Sequence, residues 1–302
     1  GVPRAVMSCL MLGGAELSAM RPELRQCARA INKNQEMRLK YPNEPHRFIE
    51  SEVDLNAELR GLAVLTAHVA VLYPEFLKLG MVRSVVGLLT HDNADIAAAA
   101  ISVLEELTDE DVLDGDADAA AGAAAMQSLV DALCAEQAPE LLVSNLSRFH
   151  DTPPAADDVA ALENYESDMQ AVYHTLGVLE NIVTLRPALA ETLCTTTSLL
   201  SWLLQRMQRK TRFDQNMGYA GELLAILLQD SEVNRKTFGT QNGLDGLLQV
   251  LAVYRRRDPV DDEETEFSEN VVDALCSALL VDENRPRFVE AEGVELMVIL
   301  LR

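Results

Sequence analysis

The sequence predicts an all-α fold built as a solenoid of stacked helical repeats, on three observations. Apolar residues recur at helical spacing along almost the whole chain. Glycines punctuate that pattern where one helix would hand over to the next. One pattern occurs twice, displaced by 50 residues. Strand signals are nearly absent. Composition agrees: hydrophobic residues make up 48% of 302 while aromatics make up only 5%, and Leu and Ala, which lose little freedom in a helix, dominate.

The first 50 residues differ from the rest and read as a helical cap or arm. Arg21 to Arg47 is locally basic, with Arg25, Arg29, Lys33, Arg38 and Lys40. Terminal repeats need polar covers, so pairing with the acidic body of the same chain is the economical expectation. The short apolar stretch Val6–Leu12 lacks the frame of a signal peptide. No apolar run reaches the roughly 18 residues of a membrane span, so no membrane contact is expected.

Residues 51–302 then read as about five repeats, the last incomplete. In the clearest unit, Pro74–Leu79 is a short helix, Gly80 a corner and Met81–Leu89 a middle helix. His91–Asn93 is a polar turn with candidate N-caps, and Ala94–Leu107 is a long third helix. Ile96, Ala100, Val103, Leu104 and Leu107 give that helix one apolar face. Similar stripes are Met169, Val172, Tyr173, Leu176, Leu179; Tyr219, Leu223, Ile226, Leu227; and Val272, Leu275, Cys276, Leu279. Gly80, Gly243 and Gly293 suit sharp corners because glycine tolerates the left-handed conformation that ends a helix. The acidic, breaker-rich segments 114–122, 151–158 and 258–266 read as exposed loops.

The duplicated pattern is N-R-x-x-F-x-x-x-x-G-[LV]-[DE], from Asn234 and again from Asn284. Looser copies start near Arg186 and Tyr73. A period near 50 slightly exceeds the roughly 40 to 47 residues of armadillo or HEAT units, and acidic insertions would supply the excess. The predicted class is therefore an armadillo/HEAT-like right-handed superhelical solenoid. Its main stabilising term is apolar burial between neighbouring units, at about 25 cal/mol per Å². The chain ends at Leu301-Arg302 after a middle-helix pattern, so its last unit reads as a natural cap or as an incomplete repeat, and the apolar edge it would expose favours the second.

Charge narrows the partners. Lys plus Arg total 25 against 48 Asp plus Glu, a net charge of -23. Such a surface repels phosphate backbones, so no direct nucleic-acid binding is expected outside a local basic patch. Protein partners with basic segments are the complementary ligands. Cys9, Cys27, Cys134, Cys194 and Cys276 show no CxxC pair and read as reduced intracellular thiols. The histidines, His46, His68, His91, His150 and His174, show no metal-ligand spacing and read as structural. No GxSxG, P-loop or GxGxxG occurs, and Gly13-Gly14 is a lone pair. We therefore expect no catalytic residue, no metal and no cofactor. A hydrolase on a helical scaffold would need a clustered nucleophile and base.

Third helices line the inner face of such an array, so their polar residues are the candidate groove. Asn181, within Leu179-Glu180-Asn181-Ile182, could hold an extended peptide's backbone through its amide. Glu105, Glu106, Glu180, Glu222 and Asp230 lie on equivalent helices and could form an acidic track for Lys or Arg side chains. The alternative is that they solvate exposed helix faces. Trp202 falls on a middle helix and is expected to pack in the core or between repeats.

Four segments carry a family resemblance. They are Asn34-Gln35-Glu36-Met37-Arg38-Leu39-Lys40-Tyr41-Pro42, Phe48-Ile49-Glu50-Ser51-Glu52-Val53-Asp54-Leu55-Asn56, Leu88-Leu89-Thr90-His91-Asp92-Asn93 and Leu223-Leu224-Ala225-Ile226-Leu227-Leu228-Gln229-Asp230. In this order and spacing, from about residue 30 onward, the chain resembles the beta-catenin-like family of the spliceosome. The resemblance implies an armadillo-repeat fold and a nuclear location. It also implies a non-enzymatic scaffold that associates with nineteen-complex splicing factors, including a Myb-type subunit, and recognises basic nuclear-localisation-type segments. Members of that family continue through further repeats. An importin-like nuclear transport adaptor is the alternative, but it calls for Trp and Asn on successive third helices, and this chain has one Trp.

Overall fold

Helices make up nearly all the regular structure of the computed structural model, and no strand occurs among the described residues, 21–113, 119–150, 152–154 and 158–301. The chain divides into two units, Gly1–Leu185 and Arg186–Arg302.

In the first unit, α1 (Pro22–Lys40) packs on α2 (Ile49–Arg60). A 3₁₀ stretch, Gly61–His68, links α2 to α3 (Val69–Lys78). Then come α4 (Met81–Leu88), α5 (Ala94–Thr108), α6 (Ala119–Ala135), α7 (Ala138–Asn145) and α8 (Val159–Leu185). The long helices α2, α5 and α8 stack in that order, and α3 stacks on α6. This is the layered packing of three-helix repeats: like helices meet like, and each buries a stripe that could not be buried alone.

The predicted clear unit holds except in its first helix, which starts at Val69 rather than Pro74 and carries Pro74 inside it. Gly80 is left-handed at φ 67°, and Asn93 caps α5 by accepting the Asp95 N–H at 2.9 Å. Ile96, Ala100, Val103, Leu104 and Leu107 are all buried. Val172, Leu176 and Leu179 of α8 are buried too, with Met169 and Tyr173 half-buried beside them. The basic arm pairs with its own chain: Arg21 with Glu75 at 2.6 Å, Lys33 with Asp54 at 2.7 Å, and Arg38 with both Glu52 and Asp92.

The helical run Ile49–Lys78 contains a window with mean hydropathy 1.3, long and apolar enough to cross a membrane by composition. That is weak evidence, because its Leu55, Leu59, Leu62, Leu65, Val69 and Leu72 are core residues packed against protein.

In the second unit, α9 (Ala188–Thr196), α10 (Leu199–Met207) and α11 (Gln215–Gln229) form one repeat. The next is α12 (Glu232–Thr240), α13 (Gly243–Leu251) and α14 (Asp262–Ala278), followed by α15 (Asn284–Glu290) and α16 (Gly293–Leu300). The long α11 and α14 share the most extensive contact, while α9 meets α12 and α10 meets α13. Trp202 is half-buried on the middle helix α10.

Several expectations need correction. In α11 the buried stripe is Ala220, Leu223, Leu224, Leu227 and Leu228, so Tyr219 and Ile226 sit at its flank. In α14 it is Phe267, Val271, Ala274, Leu275 and Ala278, while Val272 and Cys276 are exposed. Both shifts arise because these helices are packed on two sides, so apolar residues extend beyond one stripe. The acidic loops are shorter than expected. Residues 119–122 already belong to α6, and residues 262–266 form the start of α14, capped by the Asp261 carboxylate. Carboxylates stabilise a helix start, so acidity there marks a helix N-terminus rather than a loop. The remainder of segment 114–122, half of 151–158, Val6–Leu12, Gly13-Gly14 and Cys9 lie outside the described residues.

The glycine corners divide into two kinds. Gly80 alone of the three is left-handed; at the other two corners Asn242 (φ 59°) and Glu292 (φ 58°) take that conformation, and Gly243 and Gly293 start the next helix. A Cβ on Gly243 would stand 2.4 Å from the Phe238 ring, and one on Gly293 would stand 2.2 Å from Phe288. The F-x-x-x-x-G spacing is therefore a packing rule: a ring lies flat on the backbone of the next helix start.

Candidate functional site

Five of the six candidate groove residues sit on α5, α8 and α11, the third helices of their repeats, and Asp230 caps α11, but they are not equivalent. In the first unit, Glu105 is half-buried and faces the Nδ1 of His174 on α8 at 3.5 Å. Asn181 donates from Nδ2 to Thr108 Oγ1 at 3.2 Å, tying α8 to the end of α5. These two side chains are engaged in holding neighbouring repeats together. Glu106 is exposed and Glu180 half-buried, and neither has an ion-pair partner among the described residues. In the second unit, Glu222 is half-buried on α11. Asp230 is exposed just beyond the end of α11, as its C-cap residue. A Lys or Arg side chain could reach Glu106, Glu180 and Asp230 without displacing an internal partner.

Burial, with Glu58 and Glu191 nearby, pushes the Cys27 and Cys194 thiols up to about 12, and burial also raises Cys134. No cluster of three or more His, Cys, Asp or Glu suited to a metal ion occurs among the described residues. His68 is exposed at the end of the 3₁₀ stretch. His91 is held between Asn34 Oδ1, at 3.1 Å, and the turn at Asn93. Burial and the nearby Arg38 guanidinium lower its pKa, so it stays neutral as a structural link.

Sequence reasoning missed the most repeated polar device in the molecule, although its signal was in the duplicated pattern. Asn234 and Asn284 are both fully buried. Asn234 Nδ2 donates to Leu227 O at 2.8 Å, and Asn284 Nδ2 donates to Ala278 O at 2.9 Å. The arginine that follows each does the same one residue on: Arg235 Nε to Leu228 O at 2.7 Å, Arg285 Nε to Leu279 O at 3.1 Å. The N-R pair thus satisfies orphan carbonyls at the end of the preceding third helix and brings positive charge to its dipole.

Comparison with known proteins gives these three-helix units a family. Residues 14–302 match the family described as catenin-beta-like, Arm-motif containing nuclear proteins. The chain belongs to this family. Beta-catenin-like protein 1 of Mus musculus is 41% identical over 270 residues, covering 89% of this chain and 44% of that protein. The Homo sapiens protein of the same name is 40% identical over 273 residues, again covering 89% and 44%. The homolog from Schizosaccharomyces pombe is 36% identical over 275 residues, covering 91% and 45%. The chain therefore spans less than half the length of these relatives. An engineered protein of known structure overlays with a TM-score of 0.47 at 16% identity, covering 90% of this chain and 88% of that one. Membership rests on the sequence matches, not on that overlay. It makes the fold an armadillo-repeat α-solenoid and places the chain in a non-enzymatic scaffold family whose description is nuclear.

Proposed function

We propose that this chain is a nuclear scaffold of the pre-mRNA splicing machinery that binds basic peptide segments of its partners, among them nineteen-complex splicing factors. The supporting observation is the set of acidic side chains on third helices, or capping one, that have no cation partner among the described residues, Glu106, Glu180 and Asp230, on a chain of net charge -23. Arg and Lys side chains would find carboxylates there that need no internal pair broken first. In this reading residues 1–50 cap the stack and 51–302 carry the repeats. In the first unit Asn181 and Glu105 position the inner face, and in the second Glu222 lies on the corresponding third helix.

Electrostatics would steer such an encounter, so affinity should depend on salt. The test is fluorescence anisotropy with a labelled Lys/Arg-rich segment. Raising salt from about 50 to about 200 mM should weaken binding several-fold. Glu106→Lys with Glu180→Lys should weaken it by about tenfold. Salt-insensitive affinity, or no binding, sinks the reading. Nothing favours the transport-adaptor alternative: the single Trp202 is on a middle helix rather than a third one.

A further inference from the structure

We propose that the second unit carries a separate binding surface, a cation-rimmed apolar cleft that takes an acidic, Asp/Glu-bearing protein segment anchored by an apolar side chain. The cleft has a volume of about 800 Å³. It lies where the middle helix hands over to the third helix in two successive repeats. Met207 ends α10, Met217 begins α11, Val250 is near the end of α13 and Phe267 lies in α14. These four and Phe213 make an apolar floor, with the Phe213 and Phe267 rings 5.5 Å apart. At the mouth, Val253 and Val260 are 50% and 80% exposed, which leaves apolar surface in water beside a concave floor. A cleft of this size admits a large side chain and its flanking backbone.

The charge at the mouth runs against the rest of the molecule. Arg209, Lys210, Arg212 and Arg257 line the cleft, opposed only by Asp261 and Glu264. Both carboxylates are turned to internal work. Asp261 accepts the Glu264 N–H at 2.8 Å. Glu264, 2% exposed, accepts from both terminal nitrogens of Arg257, from the Tyr254 hydroxyl and from the Val260 N–H. Lys210, Arg212 and neighbouring Arg256 are exposed, with no carboxylate at ion-pair distance among the described residues. The Arg257–Glu264 pair shows the geometry on offer, a guanidinium donating through two nitrogens to one carboxylate.

The same charge balance selects the occupant. A nucleic acid would extend its charge beyond the mouth, toward exposed Asp258, Asp262 and Glu263 and a body of net charge -23. A short peptide can confine its carboxylates to the rim and place one Phe or Leu on the floor. The cleft is also distinct from the acidic face: Met217 and Asp230 are separated by almost the full length of α11, roughly 20 Å along the helix.

The experiment titrates the full chain against a fluorescein-labelled peptide of alternating Asp and Glu with one central Phe, followed by anisotropy. Saturable binding is expected. Lys210→Glu combined with Arg212→Glu should reduce affinity at least about tenfold. Val253→Asp, and Phe→Ala in the peptide, should each cut it by a similar factor, about tenfold. All three protein positions are exposed, and circular dichroism checks that the variants stay helical. Lys78→Glu, in the first unit, should leave the affinity unchanged. Absence of saturable binding, indifference to the charge reversal, or tighter binding of a deoxythymidine oligomer of equal length would each overturn the proposal. A Lys/Arg-rich segment titrated in parallel should bind these cleft variants as it binds the wild type.

Discussion

The two units meet the same requirement, covering the carbonyls that a helix leaves unpaired at its C-terminal end, in different ways. In the second unit one local device does it twice, Asn234 with Arg235 over the end of α11 and Asn284 with Arg285 over the end of α14. In the first unit the parts differ between the ends of α4 and α5. The Tyr73 hydroxyl, from α3, donates to Leu107 O at 2.8 Å, and Thr108 donates back to Leu104 O while accepting from Asn181. Asn145 and Arg148 cover Leu89 O, and Arg148 reaches His91 O as well. A shared device ties each repeat to the next by the same bonds. Assorted devices spread that task over side chains far apart in sequence.

The comparison predicts unequal sensitivity to losing one amide. Asn284 is fully used: Nδ2 donates to Ala278 O and Arg235 O, and Oδ1 accepts from Arg287. Asn284→Ala takes the donor from Ala278 O at the end of α14, removes the tie to Arg235 O and strips Arg287 of an acceptor, and should cost about 3 kcal/mol. Asn145→Ala should cost only about 1 kcal/mol, because Arg148 Nη1 still donates to Leu89 O at 2.9 Å. Native-state hydrogen exchange would read both, as lowered opening free energies in α12–α15 for the first and α4–α7 for the second. Equal losses would show that the two arrangements are not different in kind.

A smaller effect sharpens the same point through its sign. Gly239 lies within α12, where glycine normally weakens a helix and alanine would add about 1 kcal/mol of stability. Here a Cβ would stand 1.8 Å from Asn284 Oδ1, and Asn284 is held by three hydrogen bonds. Gly239→Ala should therefore destabilise, by about 2 kcal/mol, as an overpacked core does. Thermal or urea unfolding that showed a gain instead would mean that Asn284 moves aside freely and is not the pin between these repeats.

This contrast also explains what the sequence made legible. The repeat at Asn234 and Asn284 stands out because one physical task is met by the same residues at the same spacing. Phe238 with Gly243 and Phe288 with Gly293 add a second such rule, ring on backbone, although glycine's conformational freedom first suggests a different cause. In the first unit the partners of Leu107 and Thr108 are Tyr73 and Asn181, distant residues of unlike type, so no local pattern announces them. The groove candidates were legible only by helix assignment. Periodicity places Glu105, Glu106, Glu180 and Asn181 on third helices, but whether a side chain meets a neighbour depends on packing. Only the fold separates Glu105 and Asn181, which have internal partners, from Glu106 and Glu180. The cleft was less legible still, because its rim joins residues near 210 to residues near 257 across a turn of one repeat and the next.

The smallest effect concerns protons, and it separates the units completely. All five histidines fall before residue 186, so histidine titration between neutral and mildly acidic pH bears on the first unit alone. His91 is the one whose direction is clear. Burial and then the Arg38 charge lower its pKa from 6.5, outweighing the turn at Asn93 and the opposing carboxylates of Glu52 and Asp92; Asn34 and Arg148 also reach it or its carbonyl. The folded state therefore holds His91 neutral where the unfolded chain would take up a proton. Stability is full above 6.5 and is lost progressively as pH falls toward the lower folded value. Hydrogen exchange should show protection around α1, α4 and α5 falling shallowly from about pH 7 to about pH 5.5, with α11–α14 flat over the same window. His91→Gln keeps a hydrogen-bonding side chain and removes the titration, so it should flatten the first unit's slope. A slope that survives the substitution would assign it to another group, and one that appears equally in the second unit would remove histidine from the explanation.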